Sequence, residues 1–144
     1  MSFFIRTSKL TSATTRSLPS RLFTTTITRS FSNTNRIMGV HNLANKVEFD
    51  AALKDNKIVV LDAFATWCGP CKAIAPKIVS FSETHTGAHF VKIDVDECPD
   101  VAQELGVRAM PTFMIFKNGE KIQEIVGANP VALEAAIANA LKDE

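Results

Sequence analysis

One nearly continuous apolar run in the middle of the chain constrains the fold more than any other feature. Residues 58–65 read Ile-Val-Val-Leu-Asp-Ala-Phe-Ala, with branched side chains in the first half. Such a run is typical of a strand covered on both faces, as in sheets that have helices on either side. Its one polar residue is Asp62, and a buried carboxylate is costly unless it has a partner or a function. The run therefore predicts a layered α/β fold with Asp62 inside it.

The residues around this run predict the other helices and strands. Strands and helices that alternate, followed by a hairpin and a last helix, indicate a mixed sheet with helices on both faces. The Asn118-Gly119 pair favours a tight two-residue hairpin turn. Helices are expected from Asn45, Cys68, Pro99 (ending at Gly106) and Pro130, and further strands over 89–94, 112–116 and 122–126.

Two cysteines three residues apart follow the apolar run, in the motif Trp67-Cys68-Gly69-Pro70-Cys71. In a first helical turn they lie on one face, close enough for a disulfide to form and open. The unpaired N–H groups and the dipole of a helix start stabilise a thiolate, which lowers the pKa of Cys68. Cys68 is therefore predicted to attack a substrate disulfide, and Cys71 to resolve the mixed disulfide that forms.

Asp62 has two interpretations. Burial would raise its pKa, which makes the carboxylate a candidate proton acceptor for Cys71. Alternatively, it is a structural carboxylate neutralised by Lys92 or by hydrogen bonds. The two interpretations are compatible.

Cysteines at this spacing also occur in zinc sites. A zinc site needs four ligands, and no second closely spaced pair exists among the remaining candidates, which are Cys98, His41, His85 and His89. We therefore expect no metal. A static structural disulfide is disfavoured in a reducing compartment.

The first 38 residues differ in composition from the rest. They contain six basic residues, seven Ser and nine Thr but no acid, since the first carboxylate is Glu48. This composition is typical of a mitochondrial transit peptide. We expect residues 1–38 to be a cleaved, disordered transit peptide and 39–144 to be a domain located in the mitochondrial matrix. A disordered basic tail without a targeting role is the alternative.

Two positions within this segment refine the prediction. Arg29-Ser30-Phe31-Ser32 resembles a site of mitochondrial processing peptidase, with cleavage between Phe31 and Ser32. Met38 offers a second start, which would omit the segment and predicts an additional cytosolic form.

The charge and hydropathy of the remaining chain argue against two classes of partner. Ten basic residues stand against fifteen acids, a formal charge of 10 − 15 = −5, without the clusters of Lys and Arg that nucleic-acid binding requires. No apolar run approaches the roughly 18 residues of a membrane-spanning helix. We expect neither nucleic acid nor membrane as a partner.

From about Leu43 to its end, the chain resembles the thioredoxin family. The resemblance rests on the Trp-Cys-Gly-Pro-Cys motif, Asp62 six positions before Cys68, Pro76 five after Cys71, and Met110-Pro111-Thr112 before the hairpin. It implies the thioredoxin fold, an α/β architecture with a central mixed five-stranded sheet flanked by four helices.

Two residues depart from the pattern of this family. Phe64 stands where many members carry a tryptophan, and it should still fill core volume. Cys98 lies outside the shared motif; a regulatory thiol is one interpretation, but we interpret it as a half-buried small residue.

The resemblance also implies roles for individual residues. Cys68 is the exposed nucleophile, and Asp62 deprotonates the resolving thiol of Cys71. The redox potential is tuned by Gly69, Pro70 and Lys92. Substrates dock on a shallow apolar surface, beside a cis bond at Pro111, that comprises Trp67, Met110, Pro111, Val126, Gly127 and Ala128.

The implied function is that of a thiol-disulfide oxidoreductase that reduces protein disulfides by reversible oxidation of Cys68 and Cys71, in cell redox homeostasis. The implied partners are an NADPH-dependent thioredoxin reductase, which re-reduces the pair, and substrates such as peroxiredoxins or reductases. The protein would be a monomer without a cofactor of its own. A disulfide oxidase or isomerase and a binding module without turnover are alternatives. Gly69-Pro70 argues against an oxidase, because oxidising relatives usually carry a His before the second cysteine.

Overall fold

The computed structural model describes residues 39–142, in which five strands and four helices follow one another along the chain. The elements are β1 (Val40–Asn42), α1 (Lys46–Asp55), β2 (Ile58–Phe64), α2 (Gly69–Thr84), β3 (His89–Asp94), α3 (Pro99–Leu105), β4 (Thr112–Lys117), β5 (Glu120–Val126) and α4 (Pro130–Lys142). The expected five strands and four helices are confirmed. The sequence pattern missed β1, because three residues are too few to show an alternation.

The strands form one mixed sheet in the order β1-β3-β2-β4-β5. β1 and β2 each pair in parallel with β3, whereas β4 pairs antiparallel with both β2 and β5. The apolar run of β2 thus lies in the centre of the sheet, with Asp62 opposite Lys92 on β3 and Phe113 on β4.

β2 divides its side chains between two apolar cores. Val59 and Leu61 belong to a core that includes residues of α1 and α3, whereas Ile58 and Val60 belong to one that includes residues of α2 and α4. Because side chains alternate along a strand, Asp62 lies on the same face as Val60, the face covered by α2. This alternation brings a carboxylate towards the helix that carries the cysteines.

Residues that favour helix caps and tight turns lie at the ends of helices and strands, as the sequence predicted. Asn45 caps α1, where its side-chain oxygen accepts a hydrogen bond from the Glu48 N–H at 3.0 Å. Gly106 ends α3 with φ of 73°, a left-handed conformation that glycine adopts without steric cost. Asn118 and Gly119 have φ of 52° and 83°, as a two-residue hairpin between β4 and β5 requires.

The helices of residues 39–142 differ in length and apolar character from those that cross a bilayer. None of them combines the length and the apolar character needed to traverse a membrane.

Candidate redox site

The two cysteines of the motif lie where β2 gives way to α2. Cys68 is the N-cap residue of α2, and Cys71 lies in its first turn. The two form a disulfide with their Cα atoms 5.3 Å apart, and the Cys71 N–H donates to Cys68 Sγ at 3.2 Å. First-turn N–H groups have no partner within the helix, so one of them is free to point at the sulfur.

The disulfide lies beneath neighbouring side chains. Cys68 and Cys71 are each 4% exposed, so the expectation of an exposed Cys68 is wrong for this oxidised form. The cause is packing: Phe64, Val95 and Met110 lie against the pair. The two cysteines are therefore equally buried, but their sulfurs differ in position relative to the helix. Cys68 Sγ lies at the helix terminus, where it accepts the hydrogen bond from the Cys71 N–H.

Asp62 is buried beneath the first turn of α2, with 6% of its surface exposed. Its Oδ1 makes no hydrogen bond within the described part of the chain. Burial raises the pKa of this carboxyl from 3.8 to about 7, although the positive charge of Lys92 acts in the opposite direction. At neutral pH the group can therefore exist in both protonation states. Hydrogen bonds from the described residues do not neutralise Oδ1, and Lys92 contributes a positive charge that favours the ionised carboxyl.

A cavity of about 320 Å³ extends from this carboxyl to Cys71. Asp62, Phe64, Thr66, Cys71 and Lys92 are among its lining residues. A larger open groove of about 620 Å³ lies between α1 and the β4–β5 turn, by the start of β2. The disulfide follows the other end of β2, so the smaller cavity is the one relevant to its chemistry.

Two of the residues expected to dock substrates lie beside the disulfide, since Trp67 precedes Cys68 in the chain and Met110 packs against the pair. Trp67 and Val126 are 66% and 59% exposed. The bond between Met110 and Pro111 is cis, as expected, and Met110 packs against the cysteines. The carbonyl of Pro111 accepts a hydrogen bond from the Gly127 N–H at 2.8 Å, which joins the loop after β5 to this surface.

Sequence reasoning missed Asp96, which fixes the exposed indole. Trp67 Nε1 donates a hydrogen bond to Asp96 Oδ2 at 2.9 Å. A signal existed, since Asp96 follows β3 just as Trp67 follows the parallel strand β2. The carboxyl ends of parallel neighbours meet at one edge of a sheet, where following loops come together.

Cys98 was expected to be half-buried, and that expectation is wrong. It is 1% exposed and belongs to the core beneath α1 and α3. Its Sγ lies 3.6 Å from the carbonyl oxygen of Leu43, to which the thiol donates. It forms no disulfide with Cys68 or Cys71, which pair with each other.

A protein metal site needs several ligating side chains around one point. Between residues 39 and 142, no three His, Cys, Asp or Glu side chains come together in a way that could hold a metal ion.

A disulfide held in a first helical turn can open to a dithiol without rearranging the backbone around it. This chemistry, on a mixed sheet with a cis-proline loop beside the sulfurs, defines the class of thiol-disulfide oxidoreductases.

Comparison with known proteins identifies the family within this class. The family model for thioredoxin matches residues 40–139. Thioredoxin-2 of Pyricularia oryzae is 58% identical over 83% of this chain and 70% of its own length. The crystal structure of oxidised mitochondrial thioredoxin 3 from Saccharomyces cerevisiae is 46% identical over 69% of this chain and 94% of its own, with a TM-score of 0.68. The chain belongs to the thioredoxin family, and it is a protein-disulfide oxidoreductase with a redox-active cysteine pair.

The raised pKa of Asp62 makes stability depend on pH. A rise from 3.8 to about 7 corresponds to about 4 kcal/mol, present below pH 4 and lost as pH increases through 7. Asp62→Asn does not titrate, so its unfolding free energy relative to the unmodified protein should increase by about that amount from pH 4 to 8. Urea unfolding of the oxidised proteins measures this difference, with Asp55→Asn as an exposed control. A difference that stays constant with pH would contradict the raised pKa.

Proposed function

We propose that this protein reduces the disulfides of other proteins through Cys68 and is re-reduced by an NADPH-dependent thioredoxin reductase, in cell redox homeostasis. One observation carries the proposal: the Cys68–Cys71 disulfide lies in the first turn of α2, above a buried carboxyl with a pKa of about 7. A binding module would have no need of a costly buried carboxyl behind its cysteines.

Attack by Cys68 is the first step. Its thiolate bonds to one sulfur of the substrate disulfide, and the other substrate sulfur leaves as a thiolate. The Cys71 N–H that points at Cys68 Sγ, together with the helix dipole, supports a stabilised thiolate at this position. The product is a mixed disulfide between Cys68 and the substrate.

Resolution by Cys71 is the second step. The Cys71 thiol gives its proton to Asp62, and the new thiolate attacks Cys68 Sγ, which releases the second substrate thiolate. Two electrons have then passed to the substrate, and Cys68 and Cys71 are joined. The shared cavity and the pKa of Asp62 support its role, because a general base works best when its pKa lies near the working pH. The reductase reverses the exchange with electrons from NADPH.

Docking is assigned to the surface beside the disulfide. An extended substrate segment would pair with the backbone at Met110 and rest on the exposed side chains of Trp67 and Val126. Gly127 and Ala128 extend this surface, and Asp96 holds the indole of Trp67 in place. Gly69, Pro70 and Lys92 would tune the redox potential of the pair.

Peroxiredoxins are one proposed class of substrate, and reductases another. A similar chain was solved in work on the thiol resolving mechanism of yeast mitochondrial 1-Cys peroxiredoxin via glutathione and thioredoxin systems. It is 45% identical over 69% of this chain and 94% of its own, with a TM-score of 0.67. We further propose that the protein acts as a monomer.

The mitochondrial matrix is the proposed location. Residues 1–38, the proposed transit peptide before a domain at 39–144, lie outside the described residues; their composition and the mitochondrial relative support the proposal. We expect a mitochondrial product that begins near Ser32 and a cytosolic one that begins at Met38. Mass spectrometry of the amino-terminal peptides in each cell fraction tests this. A single amino terminus shared by every fraction would exclude two products.

Turnover tests the proposed activity directly. The full chain, with NADPH and a thioredoxin reductase, should reduce insulin disulfides, as followed by NADPH absorbance. Cys68→Ser should lose at least about 1,000-fold, because the attacking sulfur is gone. Cys98→Ala is the matched control, since this cysteine is buried outside the pair, and it should remain active. A folded protein without turnover would favour an oxidase or a binding module.

The roles of the two sulfurs can be separated by trapping. Cys71→Ser should accumulate substrates as mixed disulfides on Cys68, because the resolving thiol is absent. Non-reducing electrophoresis followed by mass spectrometry detects the adducts, which should disappear on reduction. Adducts that also form in Cys68→Ser at the same level would refute the assignment.

A further inference from the structure

Phe64 is the last residue of β2, and its aromatic ring faces a cation. Lys92 Nζ lies 5.2 Å from the centroid of the ring. An ammonium within about 6 Å of an aromatic face is attracted by the negative potential of that face. The side chain of Lys92, which is long and flexible, is therefore held at this place rather than free to extend into water.

The lysine held in this way is the one that acts on the buried carboxyl. Asp62 and Lys92 are direct partners across β2 and β3, so their side chains share one face of the sheet. Phe64 is two residues after Asp62 on the same strand and therefore lies on that face too. All three residues line the cavity that reaches Cys71.

We propose that Phe64 is a positioning residue, whose ring holds the Lys92 ammonium at the cavity wall so that its positive charge acts on Asp62. The functional consequence rests on the proposed role of Asp62 as proton acceptor for Cys71. This role of the ring is separate from the reactions of the cysteines and from the docking of substrates.

The consequence for Asp62 follows from two opposing effects. Burial raises its pKa, and Lys92 lowers it, with the result of about 7. Without the ring, the ammonium would move towards water, where its charge acts from farther away and through a medium of higher dielectric constant. The pKa of Asp62 would then rise further, and the protonated carboxyl would be a poorer acceptor at neutral pH.

The surroundings contain few other charges that could produce the same effect. The charged residues that line the cavity are Asp62 itself, Lys92 from β3 and Lys72 from α2. Opposite Asp62, β4 contributes the apolar Phe113, and α4 packs on this side with apolar residues such as Leu133. Lys92 is the one whose charge acts on the pKa of Asp62.

Carbon-detected NMR of the Asp62 carboxyl in the full-length oxidised protein tests the proposal. Phe64→Leu removes the aromatic face and should raise the pKa of Asp62 by about 0.5. Phe64→Trp keeps a face for the cation and should leave the pKa within about 0.2 of the unmodified value. Lys92→Met should itself raise the pKa, and adding Phe64→Leu to it should change nothing further.

A second substitution separates the charge effect from packing. Pentafluorophenylalanine, introduced at position 64 alone, keeps the shape of the ring but reverses the sign of the potential on its face. It should raise the pKa of Asp62 as Phe64→Leu does. Three results would overturn the proposal. An unchanged pKa in both variants would mean that the ring has no effect, and a lowered pKa would mean that it acts by shielding the carboxyl from water. An equal rise in the Lys92→Met background would mean that the ring acts independently of the ammonium.

The NMR titration of Asp62 tests the positioning by Phe64 even if Asp62 is not the proton acceptor for Cys71. The rate of mixed-disulfide resolution against pH, measured in the same variants, should shift with the Asp62 pKa. If the pKa moves as expected and the rate profile does not follow, the positioning by Phe64 stands and Asp62 is not the proton acceptor.

Discussion

The burial of one carboxyl, between the central strand and the first turn of α2, links the fold to the chemistry. Asp62 points at α2 because β2 sits between β3 and β4 in a single register. A shift of one residue would turn Asp62 to the opposite face and bring Leu61 and Ala63 under the helix. The apolar residues around it therefore do two things: they hold the sheet together, and they keep the carboxyl out of water.

The pKa of Asp62 results from two effects that partly cancel. Desolvation raises the pKa of Asp62 and Lys92 lowers it, so that the result of about 7 lies close to neutral pH. The ring of Phe64 beneath the ammonium belongs to the same balance. A fully apolar pocket would leave the carboxyl protonated, whereas a close ion pair would leave it ionised. Proton exchange at neutral pH needs the intermediate condition that this arrangement provides.

Much of the fold could be predicted because its signals are local. A branched apolar run, an Asn cap, an Asn-Gly turn and a glycine helix end each act through neighbours in the chain, and all were found as predicted. β1 escaped prediction because its place depends on pairing with β3. The burial of Cys68 and Cys98 was misjudged for a related reason, since the residues that cover them come from distant segments, among them Met110 and Leu43.

The sequence by itself determined the reactive pair, its place at a helix start, and the presence of a carboxylate in the preceding strand, because spacing and strand alternation are properties of the local chain. Only the tertiary structure decided what surrounds these groups. Asp96 reaches the indole of Trp67, and Gly127 reaches the Pro111 carbonyl, through contacts between segments far apart in the chain. The pKa of a carboxyl depends on burial and on nearby charge, and both exist only once β2, β3 and α2 have packed together.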